Sequence, residues 1–235
     1  MSKPQQVITI QNVYSGFKLL IPLSLFVVIF GLAFGLAATQ VGLDNGVILA
    51  MSASVFAGAS QFATLELWGA QVSLIPVAVT VFAINARHLL MGASLHPHLV
   101  HLSTAKRYGA VLLVSDANWA MSLQAINKGK QGLGVLVGGG IALWSFWLLG
   151  TLLGIYFGSA IKDPVSLGVD MVMACFLLAM VVDGKKDLRV FVIWVVAALS
   201  SLFAYWYLPP NSHVIVGALA GGTLGAMWVG KKHEH

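Results

Sequence analysis

Arg87 is the residue of this sequence whose position most needs a chemical reason. It stands in Asn85-Ala86-Arg87-His88, in the middle of an apolar run from about Ser73 to Leu95. On insertion scales, an arginine at the centre of a membrane helix costs about 2.5–3.5 kcal/mol unless it faces a partner or water. Two further polar elements fall near the middle of apolar runs, Gly58-Ala59-Ser60-Gln61 and Ser115-Asp116. The runs that carry Arg87 and Asp116 centre near Ile84 and Ala117, so the two charges share a depth. Opposite charges at one depth in a low dielectric are expected to pair. Such a pair either ties two helices together or lines a substrate or proton site. Ser60, Gln61 and Asn85 supply hydrogen-bonding groups at the same depth, more than a structural pair requires, and they favour the second reading.

Gly58, Ala59 and Ser60 carry a chemistry of their own. Small residues at a helix midpoint allow a break, which frees backbone N–H and C=O groups. A half-helix N-terminus made this way can hold a substrate carboxylate, and the freed carbonyls an amine. Close packing of Gly58 against the Gly31/Gly35 stripe of the first helix is the alternative, and both readings stand at this point. Candidates for a coupling site are Asp116 first, then Glu66 beside Trp68, then Asp170 about one turn into the sixth helix. His96, His98 and His101 flank Pro97 with no neighbouring carboxylate or cysteine, so no metal site is expected, and no other cofactor. Ser60 is followed by Gln61 and has no adjacent base, which speaks against a serine hydrolase. A single His-rich loop speaks against a di-metal oxidase, so no enzyme is expected. No Gly-x-x-x-x-Gly-Lys occurs, so the chain does not use ATP by itself.

These residues sit on elements that the composition assigns to a membrane. Of 235 residues, 58% are hydrophobic and only 9% charged, against about 25% charged in soluble domains. The mean hydropathy is +0.88. Runs of about 20 apolar residues each match the roughly 30 Å hydrocarbon core of a bilayer. The fold class read here is all-α: a polytopic integral membrane protein of about eight transmembrane helices, with broken helices and an internal repeat as open alternatives. Residues 1–235 are read as a single transmembrane domain with a polar segment at 1–17. The helices are placed at Lys18–Thr39, Val47–Leu67, Ser73–Leu95, Tyr108–Ile126, Leu133–Ser159, Val165–Val182, Val190–Leu208 and His213–Gly230, with a polar loop at His96–Arg107. The second is either a crossing or a re-entrant hairpin. The first run is too long for a signal-peptide core and is expected to be retained. Helix starts about 27 residues apart in both halves, including Gly138 and Val165, raise an internal repeat, although no sequence identity supports it and shared helix spacing is the better explanation.

The formal charge of +5 is carried by short loops and by the C-terminus. That distribution orients helices, so the expected contact is the lipid bilayer and not nucleic acid. Eight crossings with both termini cytoplasmic put Lys3, Lys18, Lys128, Lys130, Lys185, Lys186, Arg189, Lys231 and Lys232 inside, leaving Lys106, Arg107 and Lys162 outside. Cys175 is the one cysteine, which excludes a disulfide framework within the chain.

Phe56-Ala57-Gly58-Ala59-Ser60-Gln61-Phe62, followed by Asn85-Ala86-Arg87-His88-Leu89-Leu90-Met91-Gly92-Ala93-Ser94-Leu95, closely resembles the AzlC family. The likeness covers the first four helices and the overall length. It implies the large subunit of a two-component exporter of branched-chain amino acids, and in some members methionine, with a small AzlD-type membrane protein as partner. It also implies a bacterial cytoplasmic membrane. Family members usually carry an acidic pair after a threonine in helix four, whereas Ser115-Asp116-Ala117-Asn118 keeps one acid. The substrate expected is a zwitterionic amino acid, its carboxylate near Arg87 or a helix terminus. Its aliphatic side chain would lie against Phe56, Phe62, Leu89 or Met91. A channel or a non-transporting assembly subunit is the competing class.

Overall fold

A computed structural model of the chain describes residues 7–68, 74–158, 187–208 and 212–230. All regular elements among these residues are helices. They are α1 (Ile10–Gln40), α2 (Asn45–Ser54), α3 (Gly58–Glu66), α4 (Leu74–Asn85), α5 (Arg87–Leu99), α6 (Thr104–Leu112), α7 (Asp116–Asn127), α8 (Gly132–Gly158), α9 (Leu188–Tyr207) and α10 (Ser212–Gly230). Four helical stretches are long and apolar enough to cross a membrane: Ile10–Gln40, Leu74–Leu99, Gly132–Gly158 and Leu188–Tyr207. The expected sixth helix, with Asp170, Cys175 and Val165, lies outside the described residues, as do Lys3, Lys162, Lys185, Lys186, Lys231 and Lys232.

The chain forms two compact units. The first draws its described residues from Met1–Gly69 and Asn85–Met173, the second from Ala70–Ile84 and Ala174–His235.

The first unit is built on the pairing of α1 with α8. Lipid tails are as apolar as leucine, so membrane helices gain little by hiding hydrophobic side chains from them; close backbone packing does the work instead. Gly31 and Gly35 of α1 lie against the α8 backbone at Trp147, Thr151, Gly150 and Gly154, so the stripe expected from sequence finds its neighbour in α8. A Cβ at Gly138 would collide with Val13 O, and one at Gly134 would stand 2.5 Å from the Asn12 side chain. The same seam explains why α1 begins at Ile10, capped by Thr9, and not at Lys18. Residues 10–17, expected as part of a polar surface segment, are helical because Asn12, Val13 and Gly16 seat against α8.

Two of the expected crossings are each two short helices. Val47–Leu67 divides into α2 and α3 at Val55–Ala57, where Val55 is extended (φ −112°, ψ 99°). Tyr108–Ile126 divides into α6 and α7 at Leu113–Ser115. Ten- and nine-residue helices are about 15 Å long, half a hydrocarbon core. The polar loop expected at His96–Arg107 is also shorter than read. Helix α5 continues through Pro97 to Leu99, and Arg107 Nη2 donates to Val100 O (2.9 Å) and Leu102 O (3.3 Å), occupying carbonyls that the helix end leaves free.

In the second unit α9 and α10 form a hairpin. Gly217 and Gly221 of α10 sit against Ala197 and Ser201 of α9, and Ser201 Oγ donates to His213 O at 3.1 Å.

Candidate functional site

The polar elements that the sequence singles out coincide with the helix breaks. Asp116 is the first residue of α7 and Arg87 the first of α5, and Arg87 Nη1 meets Asp116 Oδ2 at 3.0 Å. A carboxylate on the first turn of a helix is favoured by the helix dipole. Arg87 follows Ala86, whose backbone is helical (φ −54°, ψ −27°), within the 26-residue stretch Leu74–Leu99, and Asp116 offsets its desolvation. The pair is partly exposed, 29% for the arginine side chain and 43% for the aspartate. A second tie joins the same helices: Trp119 Nε1 donates to Ser94 Oγ at 2.8 Å. His88 Nδ1 lies 3.1 Å from Asn85 O, a carbonyl at the junction of α4 and α5, while Asn85 Oδ1 and Arg87 Nε are buried without a hydrogen-bond partner.

Asn118, whose residue type alone suggests no role, holds the break in front of Asp116. It is fully buried. Its Oδ1 accepts from Ser115 N (2.7 Å) and Ser115 Oγ (3.1 Å), and its Nδ2 donates to Leu113 O (2.6 Å) and Leu136 O (2.8 Å). One amide thus satisfies backbone groups on both sides of the interruption and anchors it to α8. A Cβ at Gly140 would stand 2.5 Å from Leu113 O and 2.8 Å from Asn118 Nδ2, so only glycine admits this approach. A serine N-cap followed three residues later by a side chain able to reach back is a helix-start signal. It was present in Ser115-Asp116-Ala117-Asn118.

The break before α3 is held by α8 too. Trp144 Nε1 donates to Ala53 O (3.1 Å), and Ser52 Oγ lies 3.0 Å from Thr151 Oγ1. Gly58 faces Trp147, where an added Cβ would stand 2.9 Å from the indole ring. Both readings of this glycine hold in part: it opens a half-helix, and it packs closely, against Trp147 and not against the α1 stripe. The interruption lies at Val55–Ala57, so Gly58, Ala59, Ser60 and Gln61 form the first turn of α3. Ser60 and Gln61 are 1% and 0% exposed, and Ser60 Oγ and both Gln61 amide atoms lack a partner. Among the described hydrogen bonds and ion pairs, none joins these α3 residues to Arg87 or Asp116.

The four apolar candidates have different surroundings: Phe62 clusters with Phe34 and Trp147, Met91 belongs to the cluster of Leu95 and Val114, Phe56 packs against the cluster of Leu20 and Leu143, and Leu89 is exposed. Glu66 ends α3 on an exposed position.

Long apolar helices, with interruptions where the polar residues fall, define an integral membrane protein. The family model described as AzlC protein matches residues 22–161, more than half of the chain, and the chain belongs to the AzlC family, a transport-associated membrane family. The match includes the α3 residues, Glu66, Asn85, Arg87 and Asp116 and stops short of Asp170. The inner membrane protein YgaZ of Escherichia coli is 29% identical over 219 residues, 89% of this chain and 80% of that one. An uncharacterized membrane protein of Helicobacter pylori J99 is 28% identical over 66% of this chain and 68% of its own. Another, from Archaeoglobus fulgidus, is 28% identical over 84% of this chain and 86% of its own. No solved structure matches the chain.

Proposed function

We propose that this protein is a secondary transporter that exports branched-chain amino acids from the cytoplasm, as the large subunit of a two-component system in a bacterial inner membrane. The observation that carries the reading is the 3.0 Å pair of Arg87, within the apolar stretch Leu74–Leu99, and Asp116, the first residue of the short helix α7. A charge pair held within the helices gives a zwitterion a polar environment on its way across the membrane. Free backbone groups at interrupted helices give polar contacts inside an otherwise apolar protein. Asp116 is the first candidate for coupling to an ion or proton, with Glu66 and Asp170 after it. The AzlC-type likeness supplies the substrate class and the small AzlD-type partner. A channel or assembly role would need no site that both charges of an amino acid can enter.

Deletion of the protein should sensitise cells to toxic valine or leucine analogues and to valine-containing dipeptides, and re-expression with the small subunit should restore efflux. Intracellular valine that is the same with and without the protein would overturn this function.

A further inference from the structure

The first turn of α3 combines features that the rest of the fold leaves unused. The N–H groups at a helix start have no intrahelical acceptor, and the residue before the helix ordinarily caps one of them with a side-chain oxygen. Here that residue is Ala57, which has none. Ser60 N and Gln61 N both turn to Ala57 O, at 3.0 and 3.1 Å, so Gly58 N and Ala59 N have no acceptor among the described residues. Side chains on a helix lean towards its N-terminus and cover the turn before their own Cα. Ser60 and Gln61, the third and fourth residues of α3, belong to the same first turn as those two free N–H groups. Both are buried, and the Ser60 hydroxyl and both ends of the Gln61 amide are unbonded.

Buried polar groups are nearly always hydrogen-bonded, because an unmade bond forfeits the solvation that each group had in water. A fully buried glutamine with neither amide atom paired is a standing cost, in a turn that also presents a positive dipole end. Two backbone N–H groups, an amide NH2 and a hydroxyl are donors suited to a carboxylate. No arginine, lysine or histidine belongs to α2 or α3, so these two helices would meet the anion with dipoles and no formal positive charge. This is how helix N-termini bind anions elsewhere.

We propose that the first turn of α3, completed by the Ser60 hydroxyl and the Gln61 amide, is the seat of the α-carboxylate of the transported amino acid. The assignment rests on the exporter reading above and sharpens it. The carboxylate binds at α3 and not at Arg87, which leaves Arg87 to Asp116 while the acid group is bound.

The test uses membrane vesicles from cells that express the full chain with its small subunit, and measures exchange of labelled valine. Gln61→Met removes both orphaned atoms at nearly constant volume. It should raise the half-saturating valine concentration about tenfold or more, the worth of a lost hydrogen bond to a charged group. The melting temperature of the purified variant should be unchanged or higher, since a buried unpaired amide has gone. Ser60→Ala should shift half-saturation in the same direction, and valinamide and isobutylamine, which lack the carboxylate, should not compete in the wild type. Unchanged half-saturation in Gln61→Met overturns the proposal and leaves water as the occupant of the turn. A lower melting temperature together with lost exchange overturns it by making Gln61 a structural residue. Competition by valinamide equal to that of valine overturns it by showing that the acid group is not read. A wild type that exchanges no branched-chain amino acid removes the exporter reading itself, a different failure from an exchanging wild type that is indifferent to these substitutions.

Discussion

Arg87 and Asp116 pose the question of whether an ion pair serves the fold or the substrate. Removing one partner of a pair leaves the other uncompensated, at a cost of about 1 kcal/mol when exposed and about 3–5 kcal/mol when buried. With side chains 29% and 43% exposed, this pair lies between those limits. Arg87→Ala should abolish transport and lower the melting temperature of the purified protein. The double variant Arg87→Asp/Asp116→Arg should recover folded protein, measured by size-exclusion chromatography and thermal melting, but not valine efflux. Recovery of both would make the pair a structural clasp. The pairing was legible in the sequence, because two charges near the centres of neighbouring apolar runs have few other ways to be accommodated. The work of Asn118 was not. Its four hydrogen bonds reach Leu113, Ser115 and Leu136, and the approach of Leu136 depends on Gly140 of α8, a tertiary contact that no local pattern announces.

At the scale of elements, the glycine seam of α1 and α8 sets the stability of the first unit. Gly138→Leu would drive a side chain into the Val13 and Phe17 backbone, and Gly154→Leu into that of Leu32 and Leu36. Overpacking a tight core costs about 1–3 kcal/mol even where neighbours can move, and backbone moves least. Either variant should sharply reduce folded protein in detergent. Gly92→Ala, where an added Cβ meets nothing within 4 Å, should be neutral or stabilising because alanine favours the helix. Fluorescence-detected size-exclusion profiles separate these outcomes. The four-residue spacing of Gly31 and Gly35 announced the seam, and the glycines of α8 marked its other half. The breaks were harder to place. Glycine drew the expected interruption to Gly58–Gln61, whereas the chain opens at Val55–Ala57, because Trp144 takes the Ala53 carbonyl and Trp147 packs on Gly58. The extra turns of α1 before Lys18 escaped a reading by hydropathy, since polar residues that meet another backbone look like surface.

For the whole molecule, the basic residues give a topology that can be measured. A cysteine-free background needs only Cys175→Ala. In it, a cysteine at Gly129, between Lys128 and Lys130 in the turn before α8, should react with an impermeant maleimide in inverted vesicles and not in intact cells. A cysteine at Lys106 should show the opposite pattern. Labelling of both positions from one side would rule out the assigned orientation.

The α1–α8 seam also bears on how such a protein can move. Where the glycines of two helices touch backbone to backbone, the helices can neither slide in register nor part without losing those contacts. They act as a chassis. Braced against it are the half-helices, each beginning or ending at an interruption and tied to α8 by a few side-chain bonds: α2 through Trp144 and Ser52, α7 through Asn118 and Ser122. In the proposed exporter, movement would then fall to short levers on a fixed beam, with Asp116 and the first turn of α3 at the fulcrums.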